Sequence, residues 1–171
     1  KINTNINDIS ASKFFKDCSE RTRRQINKSL KQNFHFKEHF DFKDYKTIIK
    51  KTFDRQGKRV DFDLKKNFEV YRRLHDKNIL KMYKTYQNGK IRALMIVGIL
   101  NKNSVYINGG RMSDYSDDYS FTYNLINVFY NLKKLGVERF DLEGINSPKR
   151  GMFKTGFGGK IYPYFSIKYK K

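Results

Sequence analysis

FDLEGINSPKRGMFKTGFGGKIYPYF, residues 140–165, changes character three times, and the rest of the chain is best understood outward from it. It opens as a short apolar strand and passes through an acidic turn at Asp141, Glu143 and Asn146. Ser147 then suits an N-cap and Pro148 the first helical position, where a missing N–H costs nothing. The one-turn helix expected there carries Phe153 and Lys154. Gly156, Gly158 and Gly159 follow, residues that admit positive φ and close backbone approach. A sheet-bound strand is expected to resume at Lys160. Strand alternation puts Asp141 and Glu143 on one face, where two carboxylates can hold an ammonium and take its proton. They can equally cap the Ser147 turn or pair with Arg150.

Upstream, residues 121–135 form a long helix with Phe121, Leu125, Val128, Phe129, Leu132 and Leu135 inward, closed by Lys133, Lys134 and Gly136. Before it come strands at 79–87 and 90–100 around Asn88-Gly89, a strong hairpin signal. The run IRALMIVGIL is nearly all apolar, as a central strand covered on both faces should be. A third strand at 104–108 ends at Gly109-Gly110, which leave room for a donor chain, and Arg111 can meet a phosphate. A helix at 44–56 buries Tyr45, Ile48, Ile49 and Phe53 and stops at Gly57; another, capped by Asp63, buries Leu64, Phe68, Tyr71 and Leu74. FHFKEHF, residues 34–40, alternates as a half-buried strand, on which His35 and His39 stand too far apart to share a metal. At the start, a helix at 8–18 turns Ile9, Phe14, Phe15 and Cys18 inward behind a cap at Asp8. A second helix from Glu20 buries Ile26 and Leu30 and lines Arg21, Arg24, Lys28 and Lys31 along a basic ridge suited to phosphates.

With 171 residues the chain holds one domain with a real core. Its 37 basic and 17 acidic residues give a net charge of +20, which favours phosphates, nucleic acid or anionic envelope surfaces as partners. Abundant Lys, Asn, Ile, Tyr and Phe are also what AT-rich coding produces, so charge alone assigns nothing. One cysteine excludes an internal disulfide and a Cys-rich metal site. No run approaches the ~20 apolar residues of a membrane span, and KINTNINDIS has no signal-peptide core. A cytoplasmic protein, at most at the inner membrane face, is expected.

FDLEG with the following Asn and Pro, then FKTGFGG, resembles the C-terminal signature of the Fem-type aminoacyltransferases and of BioF2-like acyltransferases, both of the GNAT fold. RTRRQINKSLK is similar to the family's R..I.KA.K helix. The resemblance implies an α/β (α+β) domain over residues 1–171, with a mixed, mostly antiparallel central sheet flanked by helices and the basic helices of residues 1–33 packed on it. The sheet is expected to splay between the strand ending near Gly109 and the strand ending near Glu143. Fem-type proteins usually carry two such domains and this chain resembles the second. Because it starts at Lys1 without Met, an upstream GNAT-like domain of the same chain is expected.

The implied activity is N-acyl transfer of an acyl or aminoacyl group to an amine of a phosphate-bearing envelope precursor, peptidoglycan-type or amino sugar. Lys154 would stabilise the oxyanion and Glu143 orient or deprotonate the amine. Arg24, Lys28, Asp141, Asn146, Phe153, Gly109, Gly110 and Arg111 would bind substrate. No tightly bound cofactor and no metal are expected; the donor is aminoacyl-tRNA or acyl-CoA. Acetyl-CoA enzymes of this fold commonly carry a Q/R-x-x-G-x-G/A loop before the long helix, whereas RMSDYSDD puts Asp114, Asp117 and Asp118 there. Those acids repel a pyrophosphate, which favours aminoacyl-tRNA or a carrier-bound donor over coenzyme A. The competing expectations are an acyl-CoA-dependent N-acetyltransferase on an amino sugar, and a non-catalytic basic module that binds tRNA or another polyanion.

Overall fold

The computed structural model describes residues 13–112, 118–145 and 148–163, with Ile167 and Tyr169; for 148–150 it gives the backbone course. The strands are β1 (His35–Glu38), β2 (Leu80–Gln87), β3 (Lys90–Leu100), β4 (Asn103–Arg111) and β5 (Arg139–Asp141), in the spatial order β1-β2-β3-β4-β5. The first three ladders are antiparallel and the last is parallel. The helices are α1 (Lys13–Asp17), α2 (Glu20–Leu30), α3 (Phe42–Asp54), α4 (Leu64–Asp76), α5 (Ser120–Lys134) and α6 (Pro148–Thr155).

Period-two alternation deals β3 to both faces of the sheet. Leu94 and Ile96 join Tyr45, Ile48, Ile49 and Phe68 beneath α3 and α4. Met95 and Val97 join Ile26, Leu125 and Val128 beneath α2 and α5. The β2–β3 turn takes φ of 51° at Asn88 and 71° at Gly89, both left-handed as a type I′ turn demands.

Several boundaries differ from expectation. α3 starts earlier than residue 44 because Asp41 is its cap, accepting from the Asp44 N–H at 3.0 Å. α6 has eight residues, two turns rather than one. Leu135 is 49% exposed, since it is the C-cap of α5 and no longer on the buried stripe. Residues 160–163 are not in a strand, so among the described residues the sheet ends at β5. Asp8, Ile9 and Ser147 lie outside the described residues.

One feature has no forerunner in the hydropathy pattern. Lys84 stands on β2 between Met82 and Tyr86, where the alternation calls for an apolar side chain, and its side chain is fully buried. Its ammonium pairs with Asp44 at 2.9 Å and with Asp41, and the Tyr86 hydroxyl donates to the same Asp44 carboxylate. The cluster ties the N-terminus of α3 to the middle of the sheet. Burial, and after it Lys37, pushes the Lys84 ammonium down to about 8.

Lys84→Met removes the one buried cation that these two carboxylates share, and urea unfolding at pH 7 should show a loss of about 3–5 kcal/mol. Between pH 8 and the ordinary lysine range the unfolded chain holds a proton that the folded chain has released. This group's contribution to stability thus rises with pH across that window, and the rise should be missing from the variant.

Candidate active site

β4 and β5 run together for three residue pairs, Asn103 with Arg139, Ser104 with Phe140 and Val105 with Asp141, and then part. β5 stops there while β4 continues to Arg111. Just beyond the parting β4 carries a bulge: Tyr106 pairs with Val97 and Asn108 with Ile96, leaving Ile107 as the extra residue. This is the splay expected from the sequence, and it is framed by Tyr106 on one side and the loop after Asp141 on the other.

That loop is built by Asp141. Its carboxylate accepts the Glu143 N–H at 2.7 Å, and Glu143 takes a φ of 65°. The strand has ended before Glu143, so the expected sharing of a face by Asp141 and Glu143 does not hold; both side chains are exposed. A non-glycine residue in the left-handed region is uncommon and stores strain that its surroundings must support.

Lys154, on the last turn of α6, reaches across the parting. Its Nζ donates to the Gly144 carbonyl at 3.0 Å and stands 5.6 Å from the centroid of the Tyr106 ring. A cation over an aromatic face is attracted there by the ring's quadrupole. The glycines after Lys154 fix where α6 can lie. A Cβ on Gly156 would fall 2.3 Å from Thr22 Oγ1, and one on Gly158, at φ 77°, 2.6 Å from the Asp17 carbonyl. The Ser19 N–H donates to the Gly156 carbonyl at 2.8 Å. The knuckle is thus pressed onto the junction of α1 and α2, and α6 is aimed by the N-terminal helices. Phe153 packs between Phe121 and Phe157, with ring centroids at 5.9 and 5.1 Å, which makes it a wall of the core behind Lys154.

A second group gathers at the start of α5. Arg111 donates to the Asp118 carbonyl at 2.7 Å. Asp118 is buried, accepts the Ser120 N–H at 2.9 Å and pairs with Arg92 at 3.3 Å. Arg92 is the extra residue of a bulge in β3 opposite Thr85 and Tyr86, which turns it toward this helix end. Arg92 and Arg111 thereby offset the acidity expected there from Asp118; Asp114 and Asp117 lie outside the described residues. Lys28 of α2 stands over Tyr119 at 5.7 Å, so part of the basic ridge reaches the α5 N-terminus. Arg24 instead sits on the outer face, ion-paired with Glu20 at 3.3 Å in the open. Asn146 lies outside the described residues.

The glycines of β4 differ from expectation. Gly109 and Gly110 do not end the strand but pair with Met95 and Leu94 inside it. A Cβ on Gly110 would meet Thr52 Oγ1 at 2.1 Å, and one on Gly109 the Leu94 carbonyl at 2.3 Å. The close approach that their missing side chains permit is that of α3 and β3. Cys18 is buried, its thiol donating to the Phe14 carbonyl, and burial raises it to about 11, so it offers no thiolate nucleophile. Tyr106, Tyr119 and Arg92 were not singled out in the sequence; their partners lie 26 to 91 positions away along the chain, beyond any local pattern.

No protein-family model matches the chain and no curated protein matches it by sequence. Solved structures do. FemX superposes with a TM-score of 0.69 at 12% identity, over 90% of this chain and 56% of FemX. Glucosamine-6-phosphate N-acetyltransferase from Arabidopsis thaliana superposes with a TM-score of 0.57 at 16% identity, over 82% of this chain and all of that one. A predicted acetyltransferase from Clostridium acetobutylicum, solved with acetyl-CoA, gives 0.61 at 13% identity over 79% and 96%. These likenesses show that the chain has the GNAT fold.

The seat of α3 on β4 is directly testable. Gly110→Ala should cost about 1–3 kcal/mol in urea unfolding with no ligand added. Combining it with Thr52→Ala should recover part of that loss, whereas an unchanged midpoint in the single variant would show that the contact is not tight.

Proposed function

We propose that this chain is an N-acyltransferase that moves an acyl or aminoacyl group onto an amine of a phosphate-bearing cell-envelope precursor, of the peptidoglycan or amino-sugar type. The observation that carries the reading is the position of Lys154, a cation set at the parting of β4 and β5 by a hydrogen bond to Gly144 and by the Tyr106 ring. Its supports are the GNAT fold, the names of the structural neighbours and the resemblance of FDLEG and FKTGFGG to the Fem-type signature.

In the reaction the acceptor nitrogen attacks the carbonyl carbon of the donor and a C–N bond forms. The carbonyl oxygen becomes an oxyanion, which the Lys154 ammonium stabilises. Collapse breaks the C–O bond to a tRNA or the C–S bond to coenzyme A, and the proton lost by the amine leaves with that group. Glu143 is the carboxylate assigned to hold the acceptor amine and take its proton, which its place beside Gly144 supports. Asp141 binds substrate indirectly, by shaping the turn that presents Glu143. Asn146 is assigned to acceptor binding in this reading.

Phosphates of the precursor fall to Lys28 and Arg24. The exposed Arg24–Glu20 pair is worth little by itself, so a phosphate can displace Glu20. Arg111 acts by holding the start of α5, and Phe153 by backing Lys154. A second reading, acyl-CoA-dependent acetylation of an amino sugar, is favoured by the offset of Asp118 by Arg92, which lowers the repulsion of a pyrophosphate at α5. Aminoacyl-tRNA and acyl-CoA are the two donors to compare. An upstream GNAT-like domain and a place at the inner face of the cytoplasmic membrane belong to the first reading; no helix among the described residues is long and apolar enough to cross a membrane.

The assay follows transfer of a labelled group from a panel of aminoacyl-tRNAs and acyl-CoAs to amine-bearing precursors. Lys154→Met should lower the rate by about a hundred- to a thousandfold while cooperative unfolding is kept. Full activity in that variant would remove the oxyanion role.

A further inference from the structure

The core beneath α2 and α5 is apolar at Met95, Val97, Leu125 and Val128, but it changes character where α5 begins. Ser120 and Asn124 are buried there and share a helix face at i, i+4. Asn124 lies over the β2–β3 ladder, its Nδ2 donating to the Tyr83 carbonyl at 3.2 Å and to the Ala93 carbonyl at 3.4 Å. Thr85 comes next on that face, paired with Ala93 and two residues along β2 from Tyr83. Thr85 and Asn124 both have 0% exposure.

Three polar atoms along this seam have no hydrogen-bond partner among the described residues: Thr85 Oγ1, Asn124 Oδ1 and, on the bulge residue beside Ala93, Arg92 Nε. Arg92 follows the same helix face, since its guanidinium reaches Asp118 and its carbonyl accepts the Ser120 hydroxyl at 3.4 Å. Buried polar groups left unbonded are rare, because each forfeits the bonds that it makes in water. The chemistry of these three is complementary to one small guest: a hydroxyl and an N–H that donate, and an amide oxygen that accepts. Room comes from small side chains, Thr85 facing Ala93, and from the bulge that interrupts the ladder next to them.

We propose that this seam is the binding site of a structural water, which donates to Asn124 Oδ1 and accepts from the Thr85 hydroxyl and Arg92 Nε–H. Three bonds are what a buried water ordinarily makes. The water ties the first turns of α5 to the bulge between β2 and β3. The inference stands whether or not the chain transfers acyl groups.

The sign of one substitution tests it. Thr85→Val keeps the shape and removes the hydroxyl, so with the water bound the full chain should melt about 2–10 °C below wild type at pH 7. A hydroxyl without any partner destabilises the fold where it stands, and its removal would raise the midpoint instead. A high-resolution crystal structure of the full chain should show a water within about 3.2 Å of both Thr85 Oγ1 and Asn124 Oδ1, and Thr85→Ser should retain it. A Thr85→Val midpoint at or above that of wild type, or wild-type density in which the two side chains are bonded directly or have nothing between them, would overturn the proposal.

Discussion

The structure depends on the early parting of β4 and β5. Three residue pairs join them, and past Val105 the outer edge of β4 has no partner strand among the described residues. Backbone N–H and C=O groups on an open edge are strong, unsatisfied hydrogen-bonding groups, and an extended ligand can satisfy them as a strand would. The bulge at Ile107 falls in this open stretch and bends it.

What converts the opening into a candidate reaction centre is the placement of one cation. Lys154 is held from three directions: through its own bond to Gly144, through Tyr106 on the far strand, and through Gly156 and Gly158, which seat the end of α6 on Asp17, Ser19 and Thr22. The N-terminal helices are therefore part of the site's support as well as a source of positive charge. α2 runs from this glycine contact toward Tyr119, where Lys28 meets the start of α5. One short helix links the oxyanion candidate to the phosphate candidates, and a side chain added at Gly156 or Gly158 would disturb both.

Much of the fold was legible because it follows from local chemistry. Asn88-Gly89 requires the hairpin, Asp63 caps α4 through Lys65 and Lys66, and the run from Ile91 to Leu100 is apolar on both faces because both faces are covered. The lysine at the splay was also legible, through its motif. The glycines were misread at β4: a glycine announces close approach but not what approaches, and at Gly110 the neighbour is Thr52, 58 positions earlier. Glu143 was misplaced because alternation holds only while the strand continues, and β5 ends at Asp141, whose carboxylate turns the chain into the left-handed φ of Glu143. Lys84 could not be foreseen at all, since its partners Asp41 and Asp44 come together only when α3 lies on the sheet.

The net charge of +20 takes a more particular meaning on this frame. Arg92 and Arg111 are occupied with Asp118, Arg23 with the Lys16 and Cys18 carbonyls, and Lys84 with the α3 cap, so these cations build the molecule. Lys28 and Arg24 are the two that the proposed function assigns to the phosphates of the acceptor. The most direct measurement of the account is amide hydrogen exchange of β4 with and without the donor that supports turnover. Occupation of the cleft predicts slower exchange in β4 beyond Val105, with the β2–β3 hairpin unchanged. Exchange in that stretch that is the same with and without a donor the protein consumes would contradict it.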